Sequence, residues 1–306
     1  MAPWLVVYNP VGGSSRKRRR IRSLLDLIGT IGPSVRLIES SPTDTADRVR
    51  AEMDDAVGRI FVLGGDGTVV EVAGALVGTT LPIAIIPTGT TNVLASELGL
   101  PMDPERTVRT LAESTTTRSY HTWSAAGRVI ILGVSAGYDG RLMHQTDGTM
   151  MKRALGPLGM GLMGLFKSLS YEFPEMRVVG EDHEGRAFDE KVTIASATNT
   201  KRYAGRVISV PDADPEDEFL DLMVCDTRST ARLIEFWLLM ATGTQRHLSL
   251  PGVRRIKARR FEITTADIPV EVQINGDPRG TTPLVVEPLG RVELLAPDAT
   301  SGTREV

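Results

Sequence analysis

The stretch Arg59-Ile60-Phe61-Val62-Leu63-Gly64-Gly65-Asp66-Gly67-Thr68-Val69-Val70 decides the fold. Ile60 to Leu63 is an unbroken apolar run, the signature of a strand buried on both faces. Val69 to Val77 reads as a helix. Between them, Gly64, Gly65 and Gly67 let the backbone come close to a ligand. The helix N-terminus adds free N–H groups and partial positive charge, which suit phosphate. Asp66 cannot attract phosphate itself. Beside phosphates, a carboxylate holds Mg²⁺ or orients a hydroxyl. The alternative is a tight strand–helix turn with Asp66 as a cap.

The same strand–turn–helix pattern recurs on both sides. Trp4–Tyr8 reads as a strand that enters Asn9-Pro10-Val11-Gly12-Gly13, then a helix from Arg16 to Ile31 with Ile21, Leu24, Leu25 and Ile28 on one face. Ser34–Glu39 reads as a strand, and Thr43–Met53 as a helix capped by Thr43 or Asp44. Leu81–Ile86 reads as a strand ending in Pro87-Thr88-Gly89-Thr90-Thr91-Asn92, with a helix to about Leu98. Short apolar strands alternating with helices predict a parallel sheet covered on both faces, a three-layer α/β domain. Ligands bind outside the carboxyl ends of such strands, which places all three turns on one edge. The chain contains neither G-x-x-x-x-G-K-[ST] nor the dinucleotide fingerprint, so phosphate binding here would use three separate loops.

Near residue 120 the pattern changes. Arg128–Val134, Lys191–Thr198, Phe219–Cys225, Phe261–Thr265, Val270–Asn275, Leu284–Glu287 and Val292–Leu295 read as strands between turns rich in Gly, Pro and Asp. This predicts an antiparallel sandwich or barrel, interrupted by helices at Thr149–Leu169 and Thr230–Thr242. The expected domains are 1–120 (α/β) and 121–296 (all-β), with a polar tail 297–306 that frays or packs back on the first.

A length of 306 residues fits two domains of about 100–200 residues each. Lys plus Arg number 35 against 38 Asp plus Glu, a net charge of −3, which argues against a nucleic-acid coat. Cys225 is the one cysteine, so no internal disulfide and no Cys-rich zinc module is expected. The four histidines show no metal-ligand spacing. No apolar run is long enough to span a membrane, and Met1-Ala2-Pro3-Trp4 does not start a signal peptide. A cytoplasmic protein is the expectation.

Taken together, Asn9-Pro10, Gly64–Thr68 with Glu71, and Pro87–Asn92 resemble the ordered motifs of the diacylglycerol kinase/sphingosine kinase lipid kinases. Gly133-Val134-Ser135-Ala136-Gly137-Tyr138-Asp139 is similar to the first long strand of that family's second domain, and Gly243, His247, Pro251 and Val253 match a later pattern. The resemblance covers residues 5 to about 296. The Gly64–Thr68 motif is also shared with NAD kinases and phosphofructokinases; the ordered combination is the specific part.

The resemblance implies an α/β nucleotide domain, a lipid-binding β-sandwich, and transfer of the ATP γ-phosphoryl group to a lipid hydroxyl. It implies that Asn9, Gly12, Ser40 or Ser41, Gly64, Gly65, Asp66, Gly67, Thr68, Thr88, Gly89, Thr90 and Asn92 surround ATP and its Mg²⁺, with Arg16 or Lys17 reaching the phosphates. Two positions depart from the family. Its Asp-Gly-Glu, whose Asp is the proposed general base, stands here as Asn275-Gly276-Asp277, and an amide cannot accept the hydroxyl proton. Asp277 or Asp66 would then take that proton, or none is needed, or the chain only binds. The second is Asp217-Glu218-Phe219-Leu220-Asp221 in place of Asp-Gly-x-Leu-Asp. In the bacterial branch this segment resembles a structural magnesium site, which implies Asp214, Asp217 and the Phe219 carbonyl as ligands; the alternative is a solvated acidic loop.

Other features stay open. Arg16-Lys17-Arg18-Arg19-Arg20 with Arg22, and Arg254, Arg255, Lys257, Arg259 and Arg260, are solvated faces or contacts to nucleotide phosphates or an anionic membrane surface. Leu155–Phe166, rich in Gly and Met, is a core helix or a lid for lipid entry. Phe236–Met240 is core or the interface of a homodimer. The competing functions are a kinase of a soluble alcohol, which an apolar pocket in the second domain would disfavour, and a non-catalytic binding protein.

Overall fold

The computed structural model describes residues 2–10, 15–41, 43–146, 164, 167–204 and 207–298. The chain divides into two compact units, Met1–Thr122 with Gly290–Val306, and Trp123–Leu289.

In the first unit, strands β1 (Trp4–Tyr8), β2 (Val35–Glu39), β3 (Arg59–Gly64) and β4 (Ile83–Pro87) lie in the order β2-β1-β3-β4, all parallel. The end of strand Leu284–Leu295 adds to β4 in parallel, with Leu294 opposite Ile83. Leu5, Val6, Val7, Ile60, Phe61, Val62 and Leu63 are fully buried, as strands covered on both faces must be. Helix α1 (Ser15–Ile31) turns Ile21, Leu24 and Ile28 inward and exposes its basic start. Helices α2 (Thr45–Glu52), α3 (Asp66–Leu76) and α4 (Val93–Glu97) follow the next three strands. The strand order reverses between β1 and β3, which makes a crevice at their carboxyl ends. Helix α5 (Pro104–Glu113) is absent from the sequence reading. Its start is plain in hindsight: Asp103 accepts from Arg106 N at 2.9 Å and Pro104 takes the first turn.

Helix α3 corrects one expectation. It begins at Asp66, with Gly65 as N-cap, so Asp66-Gly67-Thr68 is the first helical turn and not a loop ahead of Val69.

The second unit is an antiparallel β-sandwich. Asp277–Thr281, Glu271–Ile274, Gly133–Ala136, Ile194–Thr198, Leu220–Cys225 and Val253–Thr264 pair in that order. Beyond a register shift at Ala258/Arg260, Val253–Thr264 continues against Met176–Asp182 and the start of Leu284–Leu295. Val134, Ala195, Leu222, Phe261 and Val272 meet in the core this encloses. Helices Tyr138–Thr146 and Thr230–Ala241 contribute Tyr138, Leu142 and Leu233 to a second cluster with Tyr171 and Cys225.

Several expected strands change. Gly133–Asp139 stops as a strand at Ala136, because Gly137 takes φ +97° and Tyr138 starts a helix. Arg128–Val134 divides into Arg128–Ile130 and Gly133–Ala136, and Lys191–Thr198 into Ala187–Val192 and Ile194–Thr198. Leu284–Glu287 and Val292–Leu295 are one strand despite Pro288 and Gly290. The expected helix Thr149–Leu169 lies almost wholly outside the described residues.

Candidate functional site

The loops after β1, β3 and β4 are joined by hydrogen bonds. Asn9 N donates to Leu63 O at 3.2 Å and Thr88 N to Gly64 O at 3.1 Å. The backbones of Gly65 and Gly89 touch. A Cβ on Gly89 would sit 2.6 Å from Gly65 Cα, and one on Gly65 3.2 Å from Gly89 Cα. A Cβ on Gly64 would sit 2.6 Å from Thr68 Cβ. Gly64 and Gly89 are therefore required by loop packing, and Gly65 packs tightly against Gly89. Gly67 differs: it is exposed, and a Cβ there would meet nothing within 4 Å among the described residues. The open approach to the α3 N-terminus lies over Gly67, where helix N–H groups and dipole favour an anion.

Asp66 fixes the third loop. Its Oδ2 accepts from Thr91 Oγ1 at 3.1 Å and Val93 N at 3.0 Å, and its Oδ1 from Leu94 N at 3.1 Å. It is thus a cap, but for α4 and not for its own helix. Asn92, at φ +45°, closes the same loop by accepting from Gly89 N at 3.0 Å and donating to Gly89 O at 3.1 Å. Three of the carboxylate's roughly four lone-pair directions are used, which leaves one on Oδ1. Ser41 serves the start of α2: its N donates to Thr45 Oγ1 at 2.9 Å and its Oγ lies 3.3 Å from Thr43 Oγ1. Thr68 and Thr88 are half-buried, while Thr90 and Arg16 are exposed. Gly12 lies outside the described residues.

In the second unit, the Asn275 side chain makes three hydrogen bonds. At φ +53° it begins a two-residue turn with Gly276 (φ +86°) that joins Glu271–Ile274 to Asp277–Thr281, with Ile274 opposite Asp277. Positive φ at both positions is what such a hairpin turn requires, and Asn-Gly supplies it. The Asn275 Oδ1 accepts from Ile131 N at 3.1 Å and Leu132 N at 3.0 Å, and its Nδ2 donates to Val129 O at 2.7 Å. Its side chain pins the 129–132 backbone. Gly276 is therefore locked rather than a flexible link to Asp277. The half-exposed Asp277 carboxylate lies 3.4 Å from Arg279 Nη2.

The implied magnesium ligands carry contacts of their own. Asp217 Oδ2 lies 2.6 Å from Lys257 Nζ and its Oδ1 accepts from Phe219 N at 2.9 Å. Asp214 Oδ1 accepts from Glu216 N at 3.0 Å. No group of three or more His, Cys, Asp or Glu with metal-binding geometry occurs among the described residues. The second basic run is also consumed: Arg254 pairs with Glu190, Arg255 with Asp212 and Asp221, Lys257 with Asp217, Arg259 with Glu218 and Arg260 with Glu287. Within these pairs the Arg254, Arg259 and Arg260 side chains remain more than half exposed.

Asp139 lies in the first turn of helix Tyr138–Thr146. It is 3% exposed and lines a pocket walled by Ile194, Met223, Phe236, Trp237 and Met240. Burial pushes its carboxyl up to about 6, against hydrogen bonds from Tyr203 and Ser135 that pull it down. Polar links continue from there: Gln273 Nε2 donates to Ser135 Oγ at 2.8 Å, and Gly276 N donates to Gln273 Oε1 at 2.7 Å. The Trp237 Nε1–H, buried in the pocket wall, has no partner among the described residues. The signal available in sequence was a single carboxylate at the start of a helix, beside the inward Leu142 and Met143. The water-accessible space is narrow, about 20 Å³, but Met223 and Met240 can repack at little cost. Phe236 and Met240 are core here, so that part of the interface alternative falls away.

A family model described as the diacylglycerol kinase catalytic domain matches residues 3–122, and one described as the YegS C-terminal NAD kinase beta sandwich-like domain matches 133–296. A diacylglycerol kinase of Bacillus subtilis is 23% identical over 285 residues, covering 91% of this chain and 90% of the relative. One of Mycobacterium tuberculosis is 24% identical, covering 79% and 78%. A Chromohalobacter salexigens protein named "Probable lipid kinase YegS-like" is 26% identical, covering 72% and 70%. A crystal structure of a diacylglycerol kinase from Bacillus anthracis matches with a TM-score of 0.70 at 18% identity, covering 97% of this chain and 98% of that one. At that identity the structural match speaks for the fold alone.

Proposed function

The chain belongs to the bacterial diacylglycerol kinase-like lipid kinase family, and from that premise we propose that its phosphoryl donor is ATP with Mg²⁺ and its acceptor the hydroxyl of a long-chain, diacylglycerol-like or sphingoid-like lipid. It is a phosphotransferase with an alcohol acceptor. The observation that carries the lipid reading is the apolar pocket of the second unit, with the buried Asp139 and the Trp237 N–H, which has no partner among the described residues, as its polar handles. Apolar walls with few fixed polar groups suit an acyl chain that ends in an oxygen-bearing head, and not a soluble alcohol.

The first unit supplies the donor side. The α3 N-terminus over Gly67, with Thr68, Thr88 and Thr90 nearby in sequence, would receive phosphate oxygens. Arg16 and its basic neighbours at the start of α1 add positive charge for those phosphates or for an anionic membrane surface. Magnesium, when bound with ATP, would neutralise charge on the transferring group, and the free lone pair of Asp66 Oδ1 is the position in these loops that could face it. In the transfer, the lipid oxygen forms a bond to the γ-phosphorus, the bond to the β–γ bridging oxygen breaks, and the hydroxyl proton leaves. Asn275 cannot take that proton, because its amide donates to Val129 O and its oxygen accepts two N–H groups. A loose transition state puts little charge on the attacking oxygen, so Asp277 or water suffices.

The test is ATP consumption with Mg²⁺ against a panel of diacylglycerol, sphingoid and phosphatidylinositol-type acceptors in mixed micelles, beside soluble alcohols. Lipid-dependent turnover supports the proposal. Turnover on soluble alcohols alone would overturn the acceptor assignment, and binding of ATP and lipid without turnover would favour a non-catalytic binding protein.

A further inference from the structure

The segment Asp212–Asp221 carries six carboxylates: Asp212, Asp214, Glu216, Asp217, Glu218 and Asp221. Such a density of like charge repels itself unless a cation lies among them. Strand Val253–Thr264 runs beside this segment, with Asp221 opposite Lys257 and Met223 opposite Arg255. Ala258 is fully buried, so the strand's two-residue period puts Arg255, Lys257 and Arg259 together on the other face. Each cation meets an acid of the segment. Arg255 Nη1 lies 2.7 and 2.8 Å from the two Asp212 oxygens, and its Nε donates to Asp221 Oδ1 at 2.7 Å. Lys257 Nζ lies 2.6 Å from Asp217 Oδ2, and Arg259 Nη1 3.1 Å from Glu218 Oε2.

We propose that Lys257, flanked by Arg255 and Arg259, is the built-in cation of this acidic segment, so that the second unit of this chain holds the segment together without a structural divalent ion. A divalent ion on Asp217 would need to approach a carboxylate oxygen to about 2.0–2.6 Å. The Lys257 ammonium already stands 2.6 Å from Oδ2, and Oδ1 is held by Phe219 N at 2.9 Å. Two cations on one carboxylate repel, so the ammonium disfavours a divalent ion on Asp217. A lysine on a sheet strand supplies its charge at any metal concentration. It also explains the basic run on that strand, whose cations neutralise acids of their own chain.

The experiment uses the nucleotide-free chain, so its outcome is independent of the kinase reading. Melting is followed in EDTA and in millimolar MgCl₂ or CaCl₂ for the wild type, Lys257→Met and the milder Lys257→Gln, with metal content measured on the dialysed wild type. The wild type should melt at the same temperature in both conditions and retain far less than one metal per chain. Lys257→Met should melt lower in EDTA and regain at least about 2–4 °C with the divalent ion, since binding only the folded state raises its stability. A wild type that melts lower in EDTA, or that retains one metal per chain, overturns the proposal. So does a variant that responds to the ion no more than the wild type does. If Lys257→Met does not fold, Lys257→Gln and the wild-type metal content decide by the same criteria.

Discussion

The Oδ1 of Asp66 lies 3.1 Å from the amide nitrogen of Leu94, 28 residues further along the chain. One carboxylate therefore stands in the first turn of one helix and caps another, and its hydrogen bonds tie the Gly-Asp-Gly turn to the Thr-Gly-Thr-Thr-Asn turn.

That relationship predicts a structural cost for Asp66→Asn. The amide keeps one acceptor oxygen and presents an NH₂ toward N–H donors, so α4 loses part of its cap. A loss of about 1–2 kcal/mol is expected in urea denaturation, together with weakened ATP binding by calorimetry. Unchanged denaturation with lost turnover would mean that Asp66 acts on the substrates alone.

The glycines of the same loops should separate. Gly67→Ala adds a methyl in open space and replaces the poorest helix former after proline, so stability should hold or rise by up to about 1 kcal/mol. Gly67→Val should fold and bind ATP at least about tenfold more weakly, because its side chain stands where the anion approaches. Gly89→Ala should destabilise the fold, since its Cβ would lie 2.6 Å from Gly65 Cα. Equal melting of Gly67→Ala and Gly89→Ala would refute this division of roles.

Asn275→Asp would look from sequence like the restoration of a base. The structure predicts otherwise. The carboxylate keeps the two N–H partners at 131 and 132 but turns an acceptor toward the Val129 carbonyl, 2.7 Å from the present donor. A loss of about 1–3 kcal/mol is expected, with no rise in turnover. A stable variant with about tenfold higher turnover would return the catalytic role to this position.

The parallel half of the fold was legible because its inner strands are buried on both faces and so carry an unbroken apolar code, as in Ile60–Leu63. The carboxyl-edge loops followed from the same code. What escaped was set by partners distant in sequence. Nothing near Asn275 announces the Val129–Leu132 backbone, nothing near Asp217 announces Lys257, and Gly65 looks ligand-facing until Gly89 is brought against it. Pro288 and Gly290 read as breakers, yet Leu284–Leu295 runs through them because the strand changes neighbours along its length, pairing Val286 with Phe261 and Leu294 with Ile83. The pocket carboxylate Asp139 was quoted inside a strand that the structure ends three residues earlier, at Ala136.

Asp139 gives a prediction in pH. Its carboxyl titrates near about 3.9 when unfolded, and burial pushes it up to about 6 in the fold. Between those values the folded chain keeps a proton that the unfolded chain has lost. The unfolded state then binds fewer protons, so this group's contribution to stability falls as pH rises. The contribution is complete below about pH 4 and lost once pH passes the folded value of about 6. A shift of roughly two units corresponds to about 2–3 kcal/mol. Asp139→Asn has no proton to lose there, and its amide oxygen can still accept from Tyr203 or Ser135. Urea denaturation of both proteins at pH 4.5 and pH 7 should show the variant gaining on the wild type by about 2 kcal/mol over that interval. Parallel profiles would mean that Asp139 is ionised in the fold at both pH values, and that the pocket presents a fixed negative charge to its ligand.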